Sequence, residues 1–340
     1  MKKTLTILCM LALTAPSFAV NQAGVGPGPG TRYATDAYPG FDHEDEIVSP
    51  ERKEPRWFAF INGPNRGNAT EQFAYCQELV ADGAYSKAVK HLDALVREWP
   101  TSEEAPKAQE QMAELCRDKL LDFEEAHRAY MYMIDFYSLQ CDYAKVADRM
   151  YEAAKLMRQE GKTIVFFRFD NTVDVRRAFE ACVLRAPGAS WVPQAMLTIG
   201  ELREDEGKPL EAIKVYENLI NIHGETAEAK VAILRQANVR MQVLKERGYN
   251  RERCRDTIDF LKLALTTCDV KDVAQIREFM NEADAHMEEE SYVAAKFYDS
   301  KTRTVRTAVS AYEDFLRQYP DSAHAEEIKE RLAKLKGQVK

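Results

Sequence analysis

No stretch of this 340-residue sequence approaches the roughly 18–20 consecutive apolar residues that a membrane-spanning helix needs. There is no basic run either. Lys and Arg total 47 against 55 Asp and Glu, a formal charge of −8. The chain therefore lacks the positive footprint that nucleic acid selects and the polybasic patch that holds a protein on anionic lipid. Chemistry-bearing motifs are missing too: there is no GxSxG, no HExxH, no GxxxxGK(S/T), and no GxGxxG after a strand. Six histidines (His43, His91, His127, His223, His286, His324) are scattered without metal-ligand spacing, and no CxxC or Cys/His cluster suggests zinc. Glu288, Glu289 and Glu290 read as a solvated helix face. No catalytic residue, metal or cofactor is expected, and the chain reads as a non-enzyme. Strand-like stretches are few; Thr163–Phe169 (TIVFFRF) is the clearest, and it reads equally as a buried loop or a helix start.

What the chain has instead is one amphipathic helix, repeated. In RTVRTAVSAYEDFLRQYP (Arg303–Pro320), Ala308, Tyr312 and Phe315 lie four and three residues apart, so they share one face. Pro320 follows and cannot continue the helix. The same offsets recur in Ala88, Leu92, Leu95 and Pro100, in Ala126, Tyr130, Met133 and Ser138, in Val175, Phe179, Cys182 and Pro187, and in Ala212, Tyr216, Leu219 and Gly224. One such helix cannot bury its own stripe, so recurrence predicts stacked helix pairs.

Six pairs follow: Thr70–Asp82 with Tyr85–Trp99, Glu103–Leu120 with Phe123–Tyr137, Asp142–Gln159 with Thr172–Arg185, Val192–Asp205 with Pro209–Ile222, Ala227–Arg247 with Arg251–Thr266, and Asp272–Tyr298 with Arg303–Tyr319. Cys76 and Gly200 take close-contact positions, and Ala323–Lys336 is a polar closing helix. The expected fold is all-α, a right-handed superhelical solenoid of about six such pairs over residues 70–336.

The N-terminus reads as a secretory signal: Lys2 and Lys3, an apolar core at Leu5–Leu13, and the small-x-small site Ser17-Phe18-Ala19, with cleavage after Ala19. Leu8 precedes Cys9 and the apolar run continues past it, so a cleaved, exported protein is expected rather than a lipid-anchored one. Cleavage would move the formal charge from −8 to −10. Val20–Pro55 reads as a tether, Gly/Pro-rich at GVGPGPG and acidic at DHEDE. Residues 56–69 hold Trp57, Phe58 and Phe60, which read either as a cap on the first pair or as an anchor for a partner protein. Six cysteines remain (Cys76, Cys116, Cys141, Cys182, Cys254, Cys268); an exported chain permits bridges, but the core positions of Cys76 and Cys182 favour buried free thiols.

The pair pattern resembles tetratricopeptide repeats, whose first helices line a concave groove. The stretch Asn281–Ile328 is more specific. Tyr292, Val293, Ala294, Phe297 and Tyr298, followed by Ala308, Tyr312, Tyr319, Pro320, Asp321 and Ser322, resemble the final repeats of outer-membrane assembly lipoproteins of BamD (YfiO) type. That resemblance implies a non-enzymatic periplasmic scaffold for outer-membrane β-barrel protein assembly, with the assembly machinery or unfolded outer-membrane proteins as partners. A scaffold for another envelope process, such as division or cell-wall coordination, is the alternative. Register places Phe73 and Gln77 on the inward face of the first pair, Arg149 and Glu152 on the third, and Gln194, Leu197 and Glu201 on the fourth. Such a face suits an extended or helical peptide.

Overall fold

The computed structural model describes residues 38, 39, 41, 63–160, 172–268, 271–301 and 305–337. The expected signal peptide, most of the tether, Trp57, Phe58, Phe60 and the strand-like stretch at 163–169 lie outside them. Among the described residues all regular structure is helical. The helices are α1 (Ala69–Ala81), α2 (Tyr85–Glu98), α3 (Glu104–Leu115), α4 (Phe123–Phe136), α5 (Tyr143–Glu160), α6 (Thr172–Arg185), α7 (Val192–Asp205), α8 (Pro209–His223), α9 (Ala227–Arg247), α10 (Arg251–Thr267), α11 (Val273–Lys301), α12 (Val305–Gln318) and α13 (Ala325–Lys336). The chain divides into two compact units, one of Met1–Arg32 with Glu46–Ala153, the other of Tyr33–Asp45 with Ala154–Lys340.

Helix starts are set by side-chain caps that satisfy backbone N–H groups left open in the first turn. The carboxamide oxygen of Asn68 accepts from Glu71 N at 2.8 Å, and that of Asn250 from Arg253 N at 2.8 Å. Asp122 does the same for α4 and Thr226 for α9. Within pairs, Gly83 (φ +73°) and Gly207 (φ +69°) make one and the same turn: each glycine N–H reaches three residues back and the next N–H five back, the Schellman pattern that needs a left-handed residue. After α3 the chain widens into a π-helical turn, Cys116–Leu120, and Leu121 takes the left-handed position at φ +56° without being glycine.

Every stripe expected from the offsets is buried. Leu92 and Leu95, Tyr130 and Met133, Phe179 and Cys182, Tyr216 and Leu219, and Tyr312 and Phe315 all lie inside, with the small residue of each set beside them. Consecutive helices pack on each other, α1 on α2 and α3 on α4 in the first unit, and α7 on α8, α8 on α9, α11 on α12 and α12 on α13 in the second. The fifth pair, whose sequence is least regular, carries the same device: Cys254, Ile258 and Leu261 pack with Ile233, Ala237, Met241, Leu244 and Ile276. The long helix α11 serves two clusters, giving Ile276 and Ala283 to that core and Tyr292 and Ala295 to a last one with Ala308, Tyr312, Phe315, Ile328 and Leu335.

The cysteines from Cys76 to Cys268 are unbridged, and Cys76, Cys116, Cys182 and Cys254 are buried. Burial pushes the Cys76 thiol up to about 11 and, with Glu125 and Asp122 nearby, the Cys116 thiol up to about 12.

Candidate interaction face

The first helices of successive pairs touch directly, α1 against α3 in the first unit and α7 against α9 against α11 in the second. Successive second helices among the described residues make no comparable approach, so the first helices form the closely spaced inner side of each unit. Side chains one repeat apart meet along it. In the first unit Thr70 Oγ1 donates to Glu104 Oε1 at 2.7 Å, and Gln77 and Gln111 exchange amide hydrogen bonds at 2.7 and 3.1 Å. Both pairs span 34 residues. Lys145 Nζ then reaches Glu110 Oε1 at 3.1 Å.

The second unit continues the rule. Arg158 donates to Glu201 at 2.7 Å and to Thr198 Oγ1 at 3.3 Å, and Arg235 approaches Glu201 at 2.9 Å from the other side. Gln275 donates to Asn238 at 3.0 Å, and Lys245 pairs with Glu282 at 3.2 Å. Near the C-terminus Arg331 holds Asp299 with two bonds of 2.7 and 2.8 Å, and Tyr292 donates to Glu327 at 2.7 Å. Amide, carboxylate and guanidinium groups thus recur at one-repeat intervals, the chemistry that meets a polypeptide's backbone and charged side chains.

Of the residues projected onto this face, Gln77 and Gln194 are exposed, Phe73 is half-buried, and Arg149 and Glu152 are exposed on α5. Glu201 is partly buried between Arg158 and Arg235. Leu197 is only 6% exposed and packs in the core. The structure therefore brings Gln77 together with Gln111, and Glu201 together with Arg158 and Arg235, partners that register alone does not name.

A buried polar framework fixes these helices, and sequence reasoning missed it. Gln72, fully buried on α1, accepts from Asn65 N and Arg66 N at 2.9 and 3.1 Å and donates to the His91 carbonyl on α2 at 3.3 Å. Gln109, its counterpart on α3, donates to the Ala129 carbonyl on α4 at 3.1 Å. A glutamine on the inward stripe of a first helix was the available signal. Deeper still, Arg176 and Glu180 of α6 meet Arg203 of α7 and Glu206 just after it: Arg176–Glu180 at 2.7 Å, Arg176–Glu206 at 2.5 Å, and Arg203 to both glutamates at 3.3 Å. Burial alone would raise the Glu206 carboxyl, but bonds from Arg176 and Lys208 outweigh it and hold it below the usual range.

The core is wired to the face through Tyr216. Its ring fills the space where a side chain at Gly200 would stand, and its hydroxyl donates to Glu204, which also takes Arg235 at 3.3 Å. Burial and the Glu204 carboxylate push that phenol far above its ordinary range. On the last pairs the motif residues Tyr292 and Tyr312 are core residues, whereas Val293 (55%), Phe297 (56%) and Tyr298 (42%) stand exposed on α11.

No family model and no curated protein matches the chain. Among solved structures it is similar to a tetratricopeptide repeat protein from Parabacteroides merdae ATCC 43184, at 12% identity over 78% of this chain and 98% of that one, with a TM-score of 0.28.

Proposed function

We propose that this chain is a non-enzymatic, tetratricopeptide-like scaffold that binds other polypeptides along the first-helix face of its units. The observation that carries the reading is the ladder of exposed and half-exposed polar groups that pair one repeat apart within each unit, 34 to 35 residues in the first, as in Gln77 with Gln111, and 34 to 43 in the second, as in Gln275 with Asn238. A regular strip of amide and charged groups suits an extended or helical chain better than a compact small molecule. On the resemblance carried by Asn281–Ile328 and the signal-like N-terminus, the partner is a protein of outer-membrane β-barrel assembly and the site of action is the periplasm.

Photo-crosslinking in envelope extracts tests both levels. A crosslinking residue at Gln77 or Gln194 is expected to capture a partner, whereas the exposed second-helix positions Lys90 and Lys214 do not. Equal capture from all four positions would overturn the face. Recovery of peptidoglycan machinery in place of the barrel-inserting protein would keep the face and overturn the pathway.

A further inference from the structure

The chain enters α1 through residues 63–68, and this strap is fastened to the first helix pair by contacts that meet at His91 of α2. Gln72 of α1 accepts from the Asn65 and Arg66 amides at 2.9 and 3.1 Å and donates to the His91 carbonyl at 3.3 Å. The Asn65 carboxamide nitrogen lies 3.5 Å from His91 Nε2. The Arg66 guanidinium stands 4.6 Å over the Tyr75 ring, which in turn meets the His91 ring edge to face with centroids 5.1 Å apart. His91 Nδ1 is buried and has no hydrogen-bond partner among the described residues.

This surrounding suits a neutral imidazole. Protonation makes donors of both ring nitrogens, and Nδ1 would then carry a buried N–H of a charged ring without an acceptor. The new charge would also face two others, the Arg66 guanidinium on the strap and the Lys87 ammonium one turn earlier on α2. At this point α1 presents Tyr75 and Cys76, neither of them a carboxylate. Burial first, then the two cations, hold the imidazole below its ordinary 6.5.

We propose that His91 is an acid-sensitive latch for the N-terminal strap, which lies closed over the first pair while the imidazole is neutral and opens when the ring takes up a proton. A ring held below 6.5 with the strap closed returns to 6.5 with it open, so acid favours the open form. Closure is strongest above 6.5 and weakens as pH falls from there through the lower closed value. Opening takes from Gln72 both of its strap partners and uncovers the first end of the α1–α2 pair. The latch does not depend on the first-helix face as a binding site.

Hydrogen exchange of the full chain, read as protection relative to an unstructured peptide at each pH, tests it. The Asn65 and Arg66 amides are expected to lose protection at least about threefold between about pH 7.5 and 5, while the amides of α4 keep theirs. His91→Gln retains a side-chain amide beside Asn65 but cannot titrate, and it is expected to hold the strap's protection constant over that range. Unchanged protection in the parent chain, an equal loss in His91→Gln, or loss of α4 protection at the same pH overturns the latch. NMR titration of the His91 ring in the parent chain needs no variant. Its midpoint is expected below 6.5, and a midpoint at or above that value overturns the proposal.

Discussion

Gly200→Ala is the sharpest test of how the second unit is packed. Inside a helix, alanine is favoured over glycine by about 1 kcal/mol, so propensity alone says that α7 gains. The neighbour says otherwise. A Cβ at position 200 would stand 2.2 Å from Tyr216 Cε1, 2.6 Å from Cζ and 2.7 Å from Cδ1, whereas ordinary contact begins at 3.4 Å. A ring on a free side chain would swing aside, but Tyr216 is fully buried and its hydroxyl is bound to Glu204. Retreat therefore strains the core, at about 1–3 kcal/mol for overpacking, and loosens a hydroxyl–carboxylate bond of about 1.5–3 kcal/mol. Set against the propensity gain, the expected net loss is about 1.5–5 kcal/mol. In urea unfolding this appears as a lower midpoint with an unchanged slope. Adding Tyr216→Leu makes room for the methyl group, so the double variant should lie above the sum of the single effects by about 1 kcal/mol or more. A midpoint for Gly200→Ala equal to or above that of the parent chain would refute the reasoning, because it would mean that the ring does not press on the helix.

Other consequences follow from the same packing. Arg203→Met leaves Glu180 and Glu206 buried with one guanidinium removed, and breaking a buried pair in this way costs about 3–5 kcal/mol, measurable by denaturant unfolding. Arg331→Met, on an exposed pair with Asp299, should cost far less. The depressed Glu206 carboxyl fixes a sign with pH. Its contribution to stability is complete above the unfolded value of 4.5 and is lost as pH falls through the lower folded value, so Glu206→Gln should flatten the acid limb of a stability–pH curve, and an unchanged limb would contradict the assignment. Leu121→Gly releases an exposed left-handed residue and should raise stability by about 0.5–1 kcal/mol, and a lower melting temperature would show that the backbone is not strained there.

Helix periodicity made the pairs legible because a stripe at offsets of four and seven has only one physical use, burial against a partner helix. It predicted the position of Gly200 for the same reason, since a missing side chain on that stripe is space for a neighbour's ring. The fifth pair was legible as two helices but not by its stripe, because that stripe is Cys254, Ile258 and Leu261, with a cysteine where the other pairs have alanine or valine and no proline or glycine at the stop position. The alternation of a sequence reports which side of a helix is apolar. It does not report the angle at which the next pair arrives, and that angle decides the fate of residues beside the stripe. Arg176 and Glu180 flank the stripe of α6 and would be solvated if α7 stood a few ångströms away; instead Arg203 closes over them and the cluster is buried.

The same geometry explains why the inward face was only partly readable. A first helix packs on its own second helix and on the first helices before and after it, so only a narrow arc remains open. On α7, Gln194 falls in that arc, whereas Leu197, three residues on, is already turned into the core, and Glu201 is held at its edge by Arg158 and Arg235. The C-terminal motif divides along the same line. Tyr292, Ala308, Tyr312 and Phe315 are accounted for by packing, so their presence is explained by the fold alone. Val293 and Phe297 are not: each is more than half exposed and neither belongs to the buried cluster. Apolar side chains standing singly on a helix surface are ordinary and need no partner, so the motif divides into a buried half that packing requires and an exposed half that packing leaves unconstrained.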